Sequence, residues 1–212
     1  VRDPTNDTVS TDGQGGSLAT FILKDQYLYT VDYSNLSVFS IANPENPVKV
    51  NLVNVGFNIE TLFSMDKYLF IGSRNAMFIY SIENNPEAPV KLSQAQHFTA
   101  CDPVVANSSA AFVTVHNNTV CNPTTNGNQL FAYDITDITK PTLVSSRSLQ
   151  EPKGLALYRN YVIVCDKNDL LFFDVTNLKN ITLAHSIANT PAIDLIVQGN
   201  RIMAFTKTNV IQ

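Results

Sequence analysis

Two carboxylates, Glu60 and Asp102, occupy matching places 42 residues apart in a sequence that repeats at about that interval. Paired carboxylates can carry out glycoside hydrolysis, or they can bind a hard cation such as Ca²⁺. The alternative is structural, with each carboxylate capping a neighbouring loop amide or pairing with Arg74 or Lys153. The residues alone leave these alternatives open.

Further polar side chains lie in loops between predicted strands, and we expect these loops to share one face of the protein with Glu60 and Asp102. With the pair they form a candidate ligand-binding set: Glu60, Arg74, Asp102, His116, Lys153 and Asp166. His116 has no second His or Cys at metal-ligand spacing, so no zinc site is predicted. The sequence has no Gly-x-Ser-x-Gly elbow, and Gly13-Gln14-Gly15-Gly16 is not followed by the Lys-Ser/Thr of a phosphate loop. We assign no catalytic residue, and Ca²⁺ is the one cofactor that the pair suggests.

Three cysteines are present. Cys101 opens a predicted inner strand, and Cys121 lies in a long loop that returns to the same face, so the two could form a disulfide. Cys165 ends a strand elsewhere and is expected to be a buried free thiol. The alternative is three reduced thiols, and an odd count says little about the compartment.

Composition limits the class of protein. The 212 residues are 44% hydrophobic and 15% charged, with a net charge of −4. A chain of this length can bury a core without disulfides or metals. No run of Lys or Arg is present, which argues against a nucleic-acid partner, and no apolar stretch is long enough for a membrane-spanning helix.

The elements that must position these side chains repeat along the chain. An apolar segment recurs at a fixed register, with equivalent residues at Tyr29, Phe70, Phe112, Ile163 and Met203. A second apolar segment follows the same interval at Phe39, Tyr80, Tyr133 and Phe173. The third repeat alone is longer, and its surplus lies between the two apolar segments, as expected of a loop insertion.

Each repeat is typical of a four-stranded β-propeller blade. In the second repeat the predicted strands cover residues 59–63, 68–72, 77–82 and 90–95, with turns rich in Asn and Pro between the last two strands of the repeats. No segment of helical length has a 3.6-residue apolar stripe, so an all-β fold is predicted and a parallel α/β sheet is excluded.

The predicted architecture is a single domain, a five-bladed propeller of four antiparallel strands per blade. The units are residues 16–56, 57–98, 99–150, 151–189 and 190–212, the last completed by residues 1–15. The fifth unit stops inside its third strand, whereas residues 3–10 resemble a turn and an outer strand. We therefore expect the N-terminal segment to close the ring, with residues 8–11 as the outer strand of the fifth blade. The alternative is a fragment of a larger propeller.

Several short runs resemble the LVIVD-repeat β-propellers of Bacteroidetes-type bacteria, most of them uncharacterised envelope lipoproteins. The runs are Ala100-Cys101-Asp102-Pro103-Val104-Val105, Asn128-Gln129-Leu130, Tyr133-Asp134-Ile135, Glu151-Pro152-Lys153-Gly154-Leu155 and Val164-Cys165-Asp166. The resemblance implies a propeller in the cell envelope or outside the cell, as an outer-membrane lipoprotein or in the periplasm. It implies membrane contact only through a lipid anchor, whose signal these residues lack, and it supplies no established reaction.

The function expected from the sequence is non-enzymatic binding. Loops on one face would present the candidate residues to a glycan, peptide or protein ligand. The alternative is a carbohydrate-active enzyme that uses Glu60 and Asp102 at the mouth of the channel. Geometry distinguishes the two hypotheses, because a catalytic pair needs its carboxyl groups about 5 to 9.5 Å apart in an open cleft.

Overall fold

The computed structural model describes residues 15–96, 103–116 and 127–212, in which every regular element is a β-strand. Blade 1 contains β1 (Phe21–Lys24), β2 (Tyr27–Val31), β3 (Asn35–Ser40) and β4 (Val48–Asn54). Blade 2 contains β5 (Ile59–Met65), β6 (Tyr68–Ser73), β7 (Ala76–Ser81) and β8 (Val90–Gln96). Blade 3 contains β9 (Val104–Ala106), β10 (Ala110–Val115), β11 (Gln129–Asp134) and β12 (Thr142–Ser148).

The last two blades follow the same order. Blade 4 contains β13 (Pro152–Tyr158), β14 (Tyr161–Asp166), β15 (Asp169–Asp174) and β16 (Thr182–Ile187). Blade 5 contains β17 (Asp194–Gln198), β18 (Arg201–Phe205) and β19 (Val210–Ile211). Within each blade the strands pair antiparallel in chain order, which confirms the predicted all-β, five-bladed propeller. The described part of blade 5 has three strands, and residues 1–14, from which a fourth was predicted, lie outside the described residues.

The hydrophobic core lies between blades rather than at one centre. Four apolar clusters fill the successive seams from blade 1 to blade 5, and each draws its buried side chains mainly from the two blades that it joins. This explains why β6 and β14 are buried over most of their length, because both faces of a middle strand meet a neighbouring blade. Cys165 is one of these side chains. It is a buried free thiol as predicted, whereas Cys101 and Cys121 lie outside the described residues.

Turns between the third and fourth strands repeat one device. Asn43, Asn85, Asp137 and Asn177 each accept a backbone N–H from the residue two positions later. A side chain that bonds in this way replaces the next ladder bond and ends the strand, as the Asn and Pro content predicts.

The same turns connect neighbouring blades. The outer strand of one blade donates a side-chain hydrogen bond to a turn carbonyl of the next blade at three successive seams. These bonds run from Asn51 Nδ2 to Glu87 O at 2.8 Å, from Ser93 Oγ to Ile138 O at 2.6 Å and from Ser145 Oγ to Leu178 O at 2.6 Å. His185 occupies the equivalent position on β16, where every residue is exposed. The outer face of blade 4 therefore has no such cover from the described residues.

A carboxylate joins blade 5 to blade 1 around the channel. Asp194 Oδ1 accepts the Ser17 N–H at 3.2 Å and the Ser17 hydroxyl at 2.9 Å, and its Oδ2 accepts the Leu18 N–H at 3.1 Å. The Ser17 hydroxyl oxygen in turn accepts the Leu155 N–H of blade 4 at 2.8 Å. Burial raises the pKa of the Asp194 carboxyl, and the hydrogen bonds it accepts oppose that effect.

Glycine makes room for this carboxylate. A Cβ added to Gly16 would lie 2.0 Å from an Asp194 oxygen, and one added to Gly154 would lie 2.2 Å from the other. A side chain at Gly16 would therefore displace the Asp194 carboxylate, and one at Gly154 would also meet the Asp194 Cα at 2.7 Å.

We predict that Asp194→Ala will lower the free energy of unfolding by about 2 kcal/mol or more, because bonds to a charged acceptor contribute about 1.5–3 kcal/mol. Urea denaturation followed by circular dichroism measures the change. Asp134→Ala is the matched control, since Asp134 is an acidic residue that bonds only within its own turn, to Thr136. Equal losses in the two variants would contradict a special role for Asp194 in closing the ring.

We also retain the closure prediction for residues 8–11. Deleting residues 1–12 should lower the melting temperature by several degrees, because it would leave β19 as an uncovered edge. Val9→Pro should reproduce part of the loss, since proline cannot donate to a strand ladder. Gln14→Ala is the control outside the expected strand. A melting curve unchanged by the deletion would refute closure by this segment.

Candidate functional site

The loops at one end of the blades form the surface on which the candidate residues were predicted to lie. Each blade contributes the loop that leads into its inner strand and the hairpin between its second and third strands. We call this surface the loop face. The hairpins are short in four blades, at residues 32–35, 73–76, 166–169 and 206–209, so their side chains are held close to the sheet.

Glu60 and Arg74 come together on blade 2. Arg74 Nε donates to Glu60 Oε1 at 2.9 Å, and the side chains are 35% and 27% exposed, respectively. Pairing with Arg74 is one of the structural alternatives that the sequence suggests for Glu60. A half-buried ion pair still presents donor and acceptor groups to solvent, so it can both hold the loop and contact a ligand.

Asp166 is part of the scaffold of blade 4. Its side chain is 5% exposed and accepts the backbone N–H groups of Gln150 and Glu151, the latter at 2.6 Å. These bonds fix the loop that leads into β13. Asp166 therefore has a positioning role in this geometry, and its prediction as a ligand contact remains a prediction.

Lys153 lies beside that loop. Its Nζ donates to the backbone carbonyl of Lys167 at 3.1 Å and lies 3.9 Å from Glu151 Oε1. The side chain is 30% exposed, so the ammonium group sits at the surface between two loops of the same blade. Blade 4 thus supplies a cationic group on the loop face, separated from the Glu60–Arg74 pair by blade 3.

The remaining candidates belong to the third repeat of the sequence. His116 follows β10 and is half-buried. Asp102, Cys101 and Cys121 lie outside the described residues. The distance between the Glu60 and Asp102 carboxyl groups would distinguish binding from catalysis, so both alternatives for this pair stay predictions. Among the described residues no three His, Cys, Asp or Glu side chains converge to hold a metal ion.

Two exposed aromatic side chains were missed by the sequence analysis. Phe57, in the loop that leads into β5, is 71% exposed, and Tyr33, in the blade 1 hairpin, is 60% exposed. The Tyr33 hydroxyl donates to Asn58 Oδ1 at 2.5 Å, and the Arg74 N–H donates to Asn58 O at 3.1 Å. We define the blade 1–2 patch as Tyr33, Phe57, Asn58, Glu60 and Arg74.

Two features of the repeated sequence could have predicted this patch. The second residue of the four short hairpins is large and polar or aromatic in every case: Tyr33, Arg74, Lys167 and Lys207. An apolar Phe57 directly after Gly56, outside any strand, is a second signal. Neither position belongs to a repeated burial pattern, so core packing does not explain why an aromatic residue stands there.

Comparison with known proteins supports the fold. The sequence matches no protein-family model and no curated protein sequence. A periplasmic gluconolactonase of Pseudomonas aeruginosa is similar in structure at 15% identity, with a TM-score of 0.62 over 78% of this chain and 52% of that chain. BamB of Moraxella catarrhalis is similar at 11% identity, with a TM-score of 0.63 over 86% of this chain and 53% of that chain.

A eukaryotic structure is also similar. The WD40 domain of Pan2 from Neurospora crassa shows 10% identity and a TM-score of 0.59 over 92% of this chain and 61% of that domain. The chain thus spans between half and two thirds of the length of these solved structures. No helix long and apolar enough to cross a membrane occurs in the described part of the chain. At such identities the likeness shows the β-propeller fold, and activity must be argued from the site.

Proposed function

We propose that this propeller is a non-enzymatic binding module that presents the loop face to a glycan, peptide or protein ligand. The observation that carries the proposal is the blade 1–2 patch, where two aromatic rings with little role in the core stand exposed beside a half-buried ion pair. Binding sites combine apolar and aromatic surface with a few fixed polar groups, and the patch has that composition.

Rigid placement of these groups supports binding. In three of the four short hairpins the side chain of the first residue fixes the loop. Asp32 Oδ1 accepts the N–H groups of Ser34 and Asn35, Ser73 Oγ accepts that of Ala76 at 3.1 Å, and Thr206 Oγ1 accepts those of Thr208 and Asn209. Loops that are already ordered lose little conformational entropy when a ligand binds. The loop face is therefore suited to selective recognition.

A place in the cell envelope belongs to the same proposal. The repeats resemble those of LVIVD propellers, and one similar structure is named as a periplasmic gluconolactonase. Membership of the LVIVD group, a lipid anchor and an outer-membrane or periplasmic location are proposed on this basis. Sparse charge and absence of basic runs suit a ligand other than nucleic acid.

The test is a binding screen with substitutions on the loop face and at the opposite end of the blades. The purified chain is probed on a glycan array and on a peptide array, and each ligand found is titrated against Arg74→Ala, Asp102→Ala and Lys153→Ala. We expect at least one of these variants to weaken binding by about 10- to 100-fold, the value of one hydrogen bond to a charged group.

Charge-matched controls come from the opposite end of the blades. Lys140→Ala and Arg159→Ala remove cations from turns on that end and should leave affinity unchanged. Binding lost in the controls and kept in the loop-face variants would refute the proposal. Hydrolysis of chromogenic glycosides that disappears in Glu60→Gln would instead support the enzymatic alternative.

A further inference from the structure

Exposed aromatic rings are unevenly distributed over the propeller. Among residues 15–96, 103–116 and 127–212, three aromatic side chains are exposed, and they are Phe21, Tyr33 and Phe57. Phe21 lies on β1 and faces the seam with blade 5, where it lines an apolar groove with Leu18 and Ile196. The other two stand on adjacent loops of the loop face. The repeated side-chain burial that shapes the blades accounts for neither of them.

The backbone holds Phe57 outward. Gly56 has φ of +150° and Asn58 has φ of +59°, and glycine and asparagine are the residues that adopt such angles most readily. The Val55 and Gly56 N–H groups donate to Ser34 O, and the Ile59 N–H donates to Tyr33 O at 3.1 Å. The loop is thus fastened to the blade 1 hairpin on both sides of Phe57, which fixes the backbone position from which the exposed ring projects.

The polar part of the patch is balanced in charge. The Glu60 carboxylate is paired with the Arg74 guanidinium, so the two formal charges offset each other, and both side chains are partly exposed. Asn58 adds a neutral amide whose oxygen is oriented by the Tyr33 hydroxyl. A phosphate or carboxylate ligand would need an uncompensated cation at this place.

We propose that the blade 1–2 patch binds a neutral pyranose unit of a glycan. The C–H face of the sugar lies on the Phe57 ring, the Tyr33 ring borders it, and ring hydroxyls exchange hydrogen bonds with Glu60 and Arg74. An apolar face and a rim of hydroxyls are the two surfaces of a pyranose, and the patch offers a partner for each. This inference rests on the proposed binding function and names the ligand class for it.

The absence of tryptophan from the sequence gives a direct test. Phe57→Trp introduces a single indole at the expected stacking position, and Phe21→Trp introduces one at an exposed site on the other side of blade 1. The probes are cellohexaose, xylohexaose, mannohexaose and maltohexaose. At least one should shift or quench the emission of Phe57→Trp with saturation, while Phe21→Trp should not respond.

Calorimetric titration with the same hexasaccharide separates stacking from general apolar contact. Phe57→Ala, Phe57→Leu and Tyr33→Ala should each weaken binding at least tenfold, because each removes one of the two aromatic rings that are proposed to contact the sugar. Phe57→Trp should bind within about twofold of the unaltered chain, and Phe21→Ala should be unchanged. Since all three aromatic side chains are mostly exposed, these substitutions should leave the melting temperature nearly unaltered. A loss of binding can then be distinguished from a loss of folding.

Two results would overturn the inference and leave the proposed function standing. One is a peptide or glycan that loses affinity in Lys153→Ala but not in the Phe57 and Tyr33 variants. The other is binding of polygalacturonate at this patch with no response to any neutral hexasaccharide. No response of Phe57→Trp to the four hexasaccharides, with no ligand found on either array, would overturn both the inference and the proposed function.

Discussion

The loop face depends on the carboxylate of Asp194, where the inner ends of three blades meet. Its oxygens accept hydrogen bonds from Ser17 and Leu18 of the loop leading into blade 1. The Ser17 hydroxyl in turn accepts a hydrogen bond from the Leu155 N–H of blade 4. The approach is close enough that a side chain at Gly16 or Gly154 would displace the carboxylate. A charge enclosed in this way is stabilising only while its partners stay in place, so the channel end of the propeller is held as one unit.

Away from the channel, seams between blades supply most of the stability. Apolar clusters fill the four seams from blade 1 to blade 5, and a side-chain bond from Asn51, Ser93 or Ser145 to the next turn fixes the outer edge of the first three. A frame built in this way can vary its loops at little cost to the fold. This explains why one face carries an ion pair, a cationic group and exposed aromatic rings without disturbing the strands beneath it.

The fold could be predicted from the sequence because propeller blades rest on local patterns. Tyr29 and its equivalents are spaced by the blade length, and Asn43, Asn85, Asp137 and Asn177 mark the same turn in four blades. The Asp194 contacts could not be predicted in this way, since Ser17 lies 177 residues away in the chain. Phe57 and Tyr33 were missed for a different reason: an exposed loop residue belongs to no burial pattern. Pairing of Glu60 with Arg74 was foreseen as one alternative, because both fall on the channel end of blade 2.

If the loop face, and the blade 1–2 patch within it, is the binding surface, a bound ligand should protect its backbone amides. Hydrogen exchange of the unaltered chain, followed by mass spectrometry with and without the hexasaccharide that binds, measures this protection. We predict slower exchange in residues 32–35, 55–60 and 73–76, with no change in the turns near residues 43–47, 85–89, 137–141 and 177–181 on the opposite end. Protection confined to those turns, or to β16, would contradict it.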